Sequence, residues 1–152
     1  MSARWDLAVY DRNDQLVLIV EVKNKLQASP EWGARLRRNI FAHGIFPNAP
    51  YFLMVFPDQL YLWTHNDTND EAGMPSYTID ARPILQSYFE QSGVAPDQIS
   101  GHSLELIVAS WLGELIHGEV APEELASSQS WLINSGLYAT VAQGRLGHEV
   151  LV

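Results

Sequence analysis

An α/β fold, a mixed β-sheet with helices on both faces, is what three observations in this sequence predict. Residues 5–10 and 15–23 are short runs rich in Val, Ile, Leu, Tyr and Trp, and the turn-forming cluster Asp11-Arg12-Asn13-Asp14 divides them, which is the pattern of a β-hairpin. A capped amphipathic stretch follows, and then an unbroken apolar run at residues 51–56 that reads as a buried strand. Both hairpin strands are apolar on two sides. One side carries Leu7, Val9, Leu16, Leu18, Val20 and Val22, while the other still holds Ala8, Tyr10, Val17 and Ile19 among its polar residues, so cover is expected on both.

Loop length sets which residues of the hairpin face each other. A two-residue loop at Asn13-Asp14 places Asp6 opposite Glu21, and a four-residue loop at residues 11–14 places it opposite Ile19, diagonal to Glu21. Either puts Asp6 on the face of Val17, Ile19, Glu21 and Lys23, because side chains alternate with period two; an odd-length loop breaks the arrangement.

Ser29-Pro30-Glu31 reads as an N-cap, a first-turn proline and a dipole-favourable acid, and opens a helix to about His43. Trp32, Leu36, Ile40 and His43 share one face, the expected buried one, and Gly44 ends the helix. Arg35 flanks that face, Arg38 lies further round and Arg37 is expected on solvent. The strand at 51–56 turns at Pro57-Asp58 into a second strand at 59–63, so the order is hairpin, crossover helix, parallel strand, antiparallel neighbour. Residues 64–76 are a polar loop. Asp80 can cap a helix at 81–91 stopped by Ser92-Gly93, and Ser103 one at 104–117, whose two apolar faces call for burial by the sheet and by another helix or a partner chain. Pro122-Glu123-Glu124 opens a last helix ending near Gly136. Residues 137–152 give no firm signal, although 148–152 could be a strand. No repeat or linker divides the 152 residues, so a single domain is expected: a core over 1–65 and a mainly helical extension over 80–136.

Composition bounds the function classes. At 47% hydrophobic residues the chain can bury a core, and with no cysteine it has neither disulfides nor thiolate metal sites, which suits a reducing, cytoplasmic setting. No signal peptide is visible, and no apolar run approaches the ~20 residues of a membrane span. Net charge is −9, unfavourable for binding phosphates, yet the charge is uneven. Residues 1–44 hold seven Lys and Arg against five acids, net +2, whereas the remainder has two against thirteen, net −11. The five His residues lack paired spacing, so zinc chemistry has little support.

Chemistry concentrates at Asp6, Glu21 and Lys23. Two carboxylates side by side in a largely apolar sheet repel, and the remedies are a raised pKa, a cation or a metal ion held by oxygen ligands. An aspartate opening one strand, with Glu21-Val22-Lys23 ending the next, resembles the PD-(D/E)XK nuclease superfamily and its restriction-endonuclease-like fold, over residues 5–63. In that family the core runs helix, three strands, helix, strand. The resemblance implies that Asp6, Glu21 and the Val22 carbonyl hold Mg²⁺ or Mn²⁺ and that Lys23 acts on the attacking water or the phosphate. It also implies that the helix after the hairpin lends a phosphate contact, with Arg35 the first candidate and Arg38 the second. Trp5 stands where the motif has proline. Few residues precede Asp6, so the family's first helix and first strand, which often carry another acidic residue, are expected to be missing or supplied from elsewhere.

The expected function is a metal-dependent nuclease cutting phosphodiester bonds in nucleic acid, DNA ahead of RNA, as a cytoplasmic protein and a possible homodimer or part of a larger complex. The alternatives are a non-catalytic assembly module on the same fold and an unrelated α/β domain in which the three residues form a plain ion-pair cluster. A later helix, 104–117, or a second chain is expected to cover the surface left by the absent first helix.

Overall fold

The structure is a computed structural model and describes residues 4–42, 49–64, 73–118 and 127–151. Strands β1 (Arg4–Tyr10) and β2 (Leu16–Val22) form the antiparallel hairpin. Helix α1 (Pro30–Ala42) leads to β3 (Tyr51–Val55), which runs parallel to β2, and β4 (Gln59–Thr64) and β5 (Tyr77–Asp80) continue antiparallel. Helices α2 (Arg82–Ser92) and α3 (Gly101–His117) follow, then a 3-10 turn at Ser127–Gln129 and the short helices α4 (Ser130–Asn134) and α5 (Leu137–Val141). The chain returns as β6 (Arg145–Leu151), antiparallel to β1. The result is an α/β fold with a six-stranded mixed open sheet, ordered β5-β4-β3-β2-β1-β6, and five α-helices among the described residues.

The hairpin loop is odd, yet the carboxylates still face each other. Asp11 N–H donates to the Gln15 carbonyl and Asp14 N–H to that of Asp11, leaving Arg12, Asn13 and Asp14 as a three-residue loop with Asp14 at φ 63°. A bulge then compensates. Val9 pairs with Leu18 but Tyr10 with Leu16, so Val17 is the extra residue and the register beyond it shifts by one. Two side chains change sides as a result: Val17 joins Leu18 against the larger helical layer, and Leu16 goes with Tyr10 to the α1 side, the reverse of what strict alternation gives.

One face of the sheet is covered by α2, α3, α4 and α5, in a core that runs from Leu7, Val20 and Leu53 to Val108, Trp111 and Leu132. Helix α3 supplies seven buried side chains, Ile116 of its second face among them, while Leu106 of that face stays exposed. Its cap lies earlier than the sequence suggests: Ser100 accepts from Ser103 N–H, because Gly101 and His102 already take helical geometry. Asp80 likewise closes β5 rather than capping α2 from the Ncap position, which Ala81 occupies; its carboxylate takes the Arg82 N–H and guanidinium instead.

The opposite face is covered by α1, whose packed side differs from the expected one. Gly33 and Ala34 are buried, and a Cβ on Gly33 would lie 3.0 Å from the Tyr61 ring, so this glycine sets the close approach of helix to sheet. Arg37, expected on solvent, is half-buried with its guanidinium 4.6, 5.6 and 5.3 Å from the rings of Phe41, Phe52 and Trp63. Trp32 and Leu36 are only half-buried at the margin. A small residue in the helix lets an aromatic sheet surface rise to meet a guanidinium, which hydrophobic periodicity alone does not register. His43 and Gly44, the loop at 64–76 apart from its ends, and the opening of the helix at 122–124 lie outside the described residues.

Two elements have no counterpart in the sequence reading, and a third is longer than the sequence suggests. β5 is a four-residue edge strand, too short for a pattern, and α5 is a five-residue helix after Gly136 at φ 82°. β6 begins at Arg145 rather than near residue 148 and contains Gly147, His148 and Glu149, which weaken any strand signal.

Candidate functional site

Asp6 and Glu21 meet at one end of the hairpin. The pairs Leu7–Val20 and Ala8–Ile19 set the register that brings Asp6 across from Glu21, on the face of Ala8 and Ile19. Backbone groups hold both carboxylates: Val22 N–H donates to Asp6 Oδ2 at 2.7 Å, and Asp6 N–H donates to the Glu21 carboxylate. Each acid is thus tied to the other's strand, and the last rungs of β1 and β2 run through side chains. Lys23 is fixed by its N–H to the Val55 carbonyl at 2.9 Å, which prolongs the β2–β3 ladder by one residue, and its Nζ lies 3.9 Å from Glu21 Oε2.

Glu21 is 6% exposed and is the buried charged residue of the described chain. Burial, with the Asp6 charge second, pushes its carboxyl up to about 7 against an ordinary value of 4.5; Lys23 and the Asp6 N–H oppose the rise, and Glu105 of α3 adds to it. Lys23, 41% exposed at the edge, is too distant and too well solvated to compensate the buried charge.

All three central residues predicted from sequence are therefore brought together. Arg35 and Arg38 are placed differently. α1 packs on β3 and β4 through the contacts of Gly33 with Tyr61 and Met54 and of Arg37 with Phe52 and Trp63, in a layer that also holds Ala8 and Ile19 of the hairpin. Arg35 is exposed on α1 beside a small cleft of about 140 Å³ shared with Trp32, Leu36 and Asn39, and Lys25 Nζ stands 5.2 Å from the Trp32 ring. Arg38 is exposed and lies against Gly73.

One contributor carries no mark in the sequence: Glu105 of α3 raises the Glu21 pKa, and nothing in its local pattern relates it to β2. The register of β6 on β1, Val150 with Trp5 and His148 with Leu7, sets the backbone of Glu149 across from that of Asp6.

Among the described residues no group of three or more His, Cys, Asp or Glu side chains is placed to hold a metal ion. The donors on offer are the two carboxylates and backbone oxygen, a hard, anionic set that suits Mg²⁺ or Mn²⁺, ions that commonly keep several waters and take few protein ligands. A buried carboxylate with a raised pKa beside a second one is the electrostatic strain that such a cation relieves, so the residues present fit the group. Compared with known proteins, the chain gives no significant match to a family model, a curated protein or a solved structure.

Proposed function

We propose that the chain is a divalent-metal-dependent phosphodiesterase acting on nucleic acid, with a restriction-endonuclease-like core. The observation that carries this reading is the convergence of Asp6, Glu21 and Lys23 at one strand end, with Glu21 buried and poorly compensated. Strand order adds support. The resemblance calls for three strands, a helix and a further strand. β3 takes one side of the hairpin after α1, and β6 takes the other edge of β1, where a strand ahead of β1 would have to lie. α3 packs under β1, β2 and β6, in the place expected of a covering helix.

Asp6, Glu21 and the Val22 carbonyl would hold the ion. When bound, such an ion acidifies a coordinated water and neutralises charge that develops on the phosphate. The chain's own groups do the positioning. Val22 N–H fixes Asp6 Oδ2, and Asp6 N–H fixes Glu21, so neither carboxylate must reorganise to accept a cation. Lys23, on the Glu21 side and more exposed, would stabilise negative charge on the phosphate or orient the attacking water. Arg35, with Lys25 and Trp32, offers a basic, partly aromatic flank for the substrate backbone.

Incubating single- and double-stranded DNA and RNA with the protein, with and without Mg²⁺ or Mn²⁺, tests the proposal. Cleavage should need the metal and disappear in Glu21→Gln and Asp6→Asn. Wild-type protein that cuts none of these substrates would overturn the enzyme reading and leave the assembly-module reading in its place.

A further inference from the structure

Away from the hairpin, α2, α3, the 3-10 turn and α5 enclose a cavity of about 250 Å³. Ser87, Tyr88, Trp111, Glu114, Gln129 and Tyr138 supply most of its chemistry. Trp111 and Tyr138 are buried, whereas Glu114 and Ser87 stand at the exposed mouth. The wall is ordered by its own hydrogen bonds: Trp111 Nε1–H donates to Gln129 Oε1 at 3.2 Å, and the Tyr88 hydroxyl donates to Glu114. Trp131 lies against Trp111, ring centroids 6.2 Å apart, which stiffens the aromatic side.

We infer that this cavity binds a small organic cation of the ammonium class, with Glu114 as its counter-charge and the rings of Tyr88, Trp111 and Tyr138 as its walls. Three features point the same way. The lining holds one carboxylate and, among the described residues, no basic side chain. The carboxylate accepts one hydrogen bond from the Tyr88 hydroxyl, and an ionised carboxylate has about four lone-pair sites, so it can still accept N–H donors from a ligand. Aromatic faces around an anion are the arrangement that favours an alkylammonium over a neutral molecule of the same shape. The setting agrees: residues 45–152 carry a net −11 with His neutral, and Arg82, the one Lys or Arg of α2, is held by Asp80 through two hydrogen bonds of 3.0 and 2.8 Å. The volume is below the usual range for drug-sized ligands and suits a short-chain amine. Burial and the Glu114 hydrogen bond raise the Tyr88 hydroxyl pKa, so it stays a donor at all working pH values and cannot become a competing anion. The inference is independent of any nuclease activity.

Calorimetric titration of the intact chain with butylammonium chloride, alongside 1-butanol, tests it, with the Trp111 indole N–H followed by NMR. Butylammonium should bind saturably and shift the Trp111 signal, and 1-butanol should bind at least about tenfold more weakly, as expected for loss of a charge-assisted hydrogen bond. Glu114→Gln, at an exposed position, should lose about tenfold in affinity, and Ser87→Leu should block the mouth, while Glu90→Gln on the outer surface of α2 changes nothing. No saturable heat with butylammonium, equal binding of the alcohol, or unchanged affinity in Glu114→Gln would each overturn it.

Discussion

Replacing Glu21 by Gln should make the metal-free protein more stable, and the gain should grow with pH. Glu21 is buried, with Asp6 on the facing strand, Glu105 on α3 and Lys23 at 3.9 Å as the charged groups around it, and its carboxyl is pushed up to about 7 from 4.5. A carboxyl whose folded pKa lies above its unfolded value contributes native-state stability that is fully present below pH 4.5 and is lost as pH rises through 7. At pH 8 ionised Glu21 therefore costs about 3 kcal/mol, and at pH 5.5 about 1 kcal/mol. Gln keeps the shape and hydrogen-bonding capacity without the charge. Urea denaturation in EDTA should show Glu21→Gln more stable than wild type by about 3 kcal/mol at pH 8, equivalent to roughly 6 to 12 °C in Tm for a chain of this size. The difference should shrink toward pH 5. A Gln variant less stable than wild type at pH 8 would refute the reasoning, since it would mean that the Lys23 ion pair outweighs burial and the three residues form a structural salt-bridge cluster.

Other substitutions separate the roles of neighbouring residues. Lys23→Ala should leave stability within about 0.5 kcal/mol and metal affinity intact while slowing cleavage, because its Nζ is exposed and 3.9 Å from Glu21; single-turnover kinetics beside a metal titration will check this. Arg37→Ala should destabilise the fold by about 2 kcal/mol in urea titrations, through loss of stacking on Phe41, Phe52 and Trp63, whereas Arg35→Ala should change stability little and instead weaken nucleic-acid binding and its salt dependence. Gly144→Ala should cost more than about 2 kcal/mol, because a Cβ there would sit 2.1 Å from the Tyr10 carbonyl oxygen and force β6 off β1; loss of β6 amide protection in hydrogen exchange would report it.

Much of this was legible in the sequence, for identifiable reasons. The hairpin, the crossover helix with its Ser29 cap and the parallel β3 carry strong local signals, and so the pairing of Asp6 with Glu21 followed from strand parity. Parity survived an odd loop only because the bulge at Val17 restored it, a compensation no residue type announces. The packed face of α1 departs from its apolar periodicity because Gly33 and Arg37 make close contacts with the sheet. β6 is weakly marked because its stability comes from pairing with β1 at a distance of more than a hundred residues, while its own composition is poor for a strand. Glu105 falls in the same class: its effect on Glu21 exists only after α3 has docked.

Calorimetric titration of Mn²⁺ or Mg²⁺ into wild type, Glu21→Gln and Asp6→Asn addresses the central claim most directly. Wild type should bind the ion saturably at pH 8, with affinity falling up to about tenfold per pH unit below about 7 as protons compete for Glu21, and both variants should lose that binding. Absence of binding by wild type at millimolar metal, or binding that survives both substitutions, would contradict a metal site at Asp6 and Glu21.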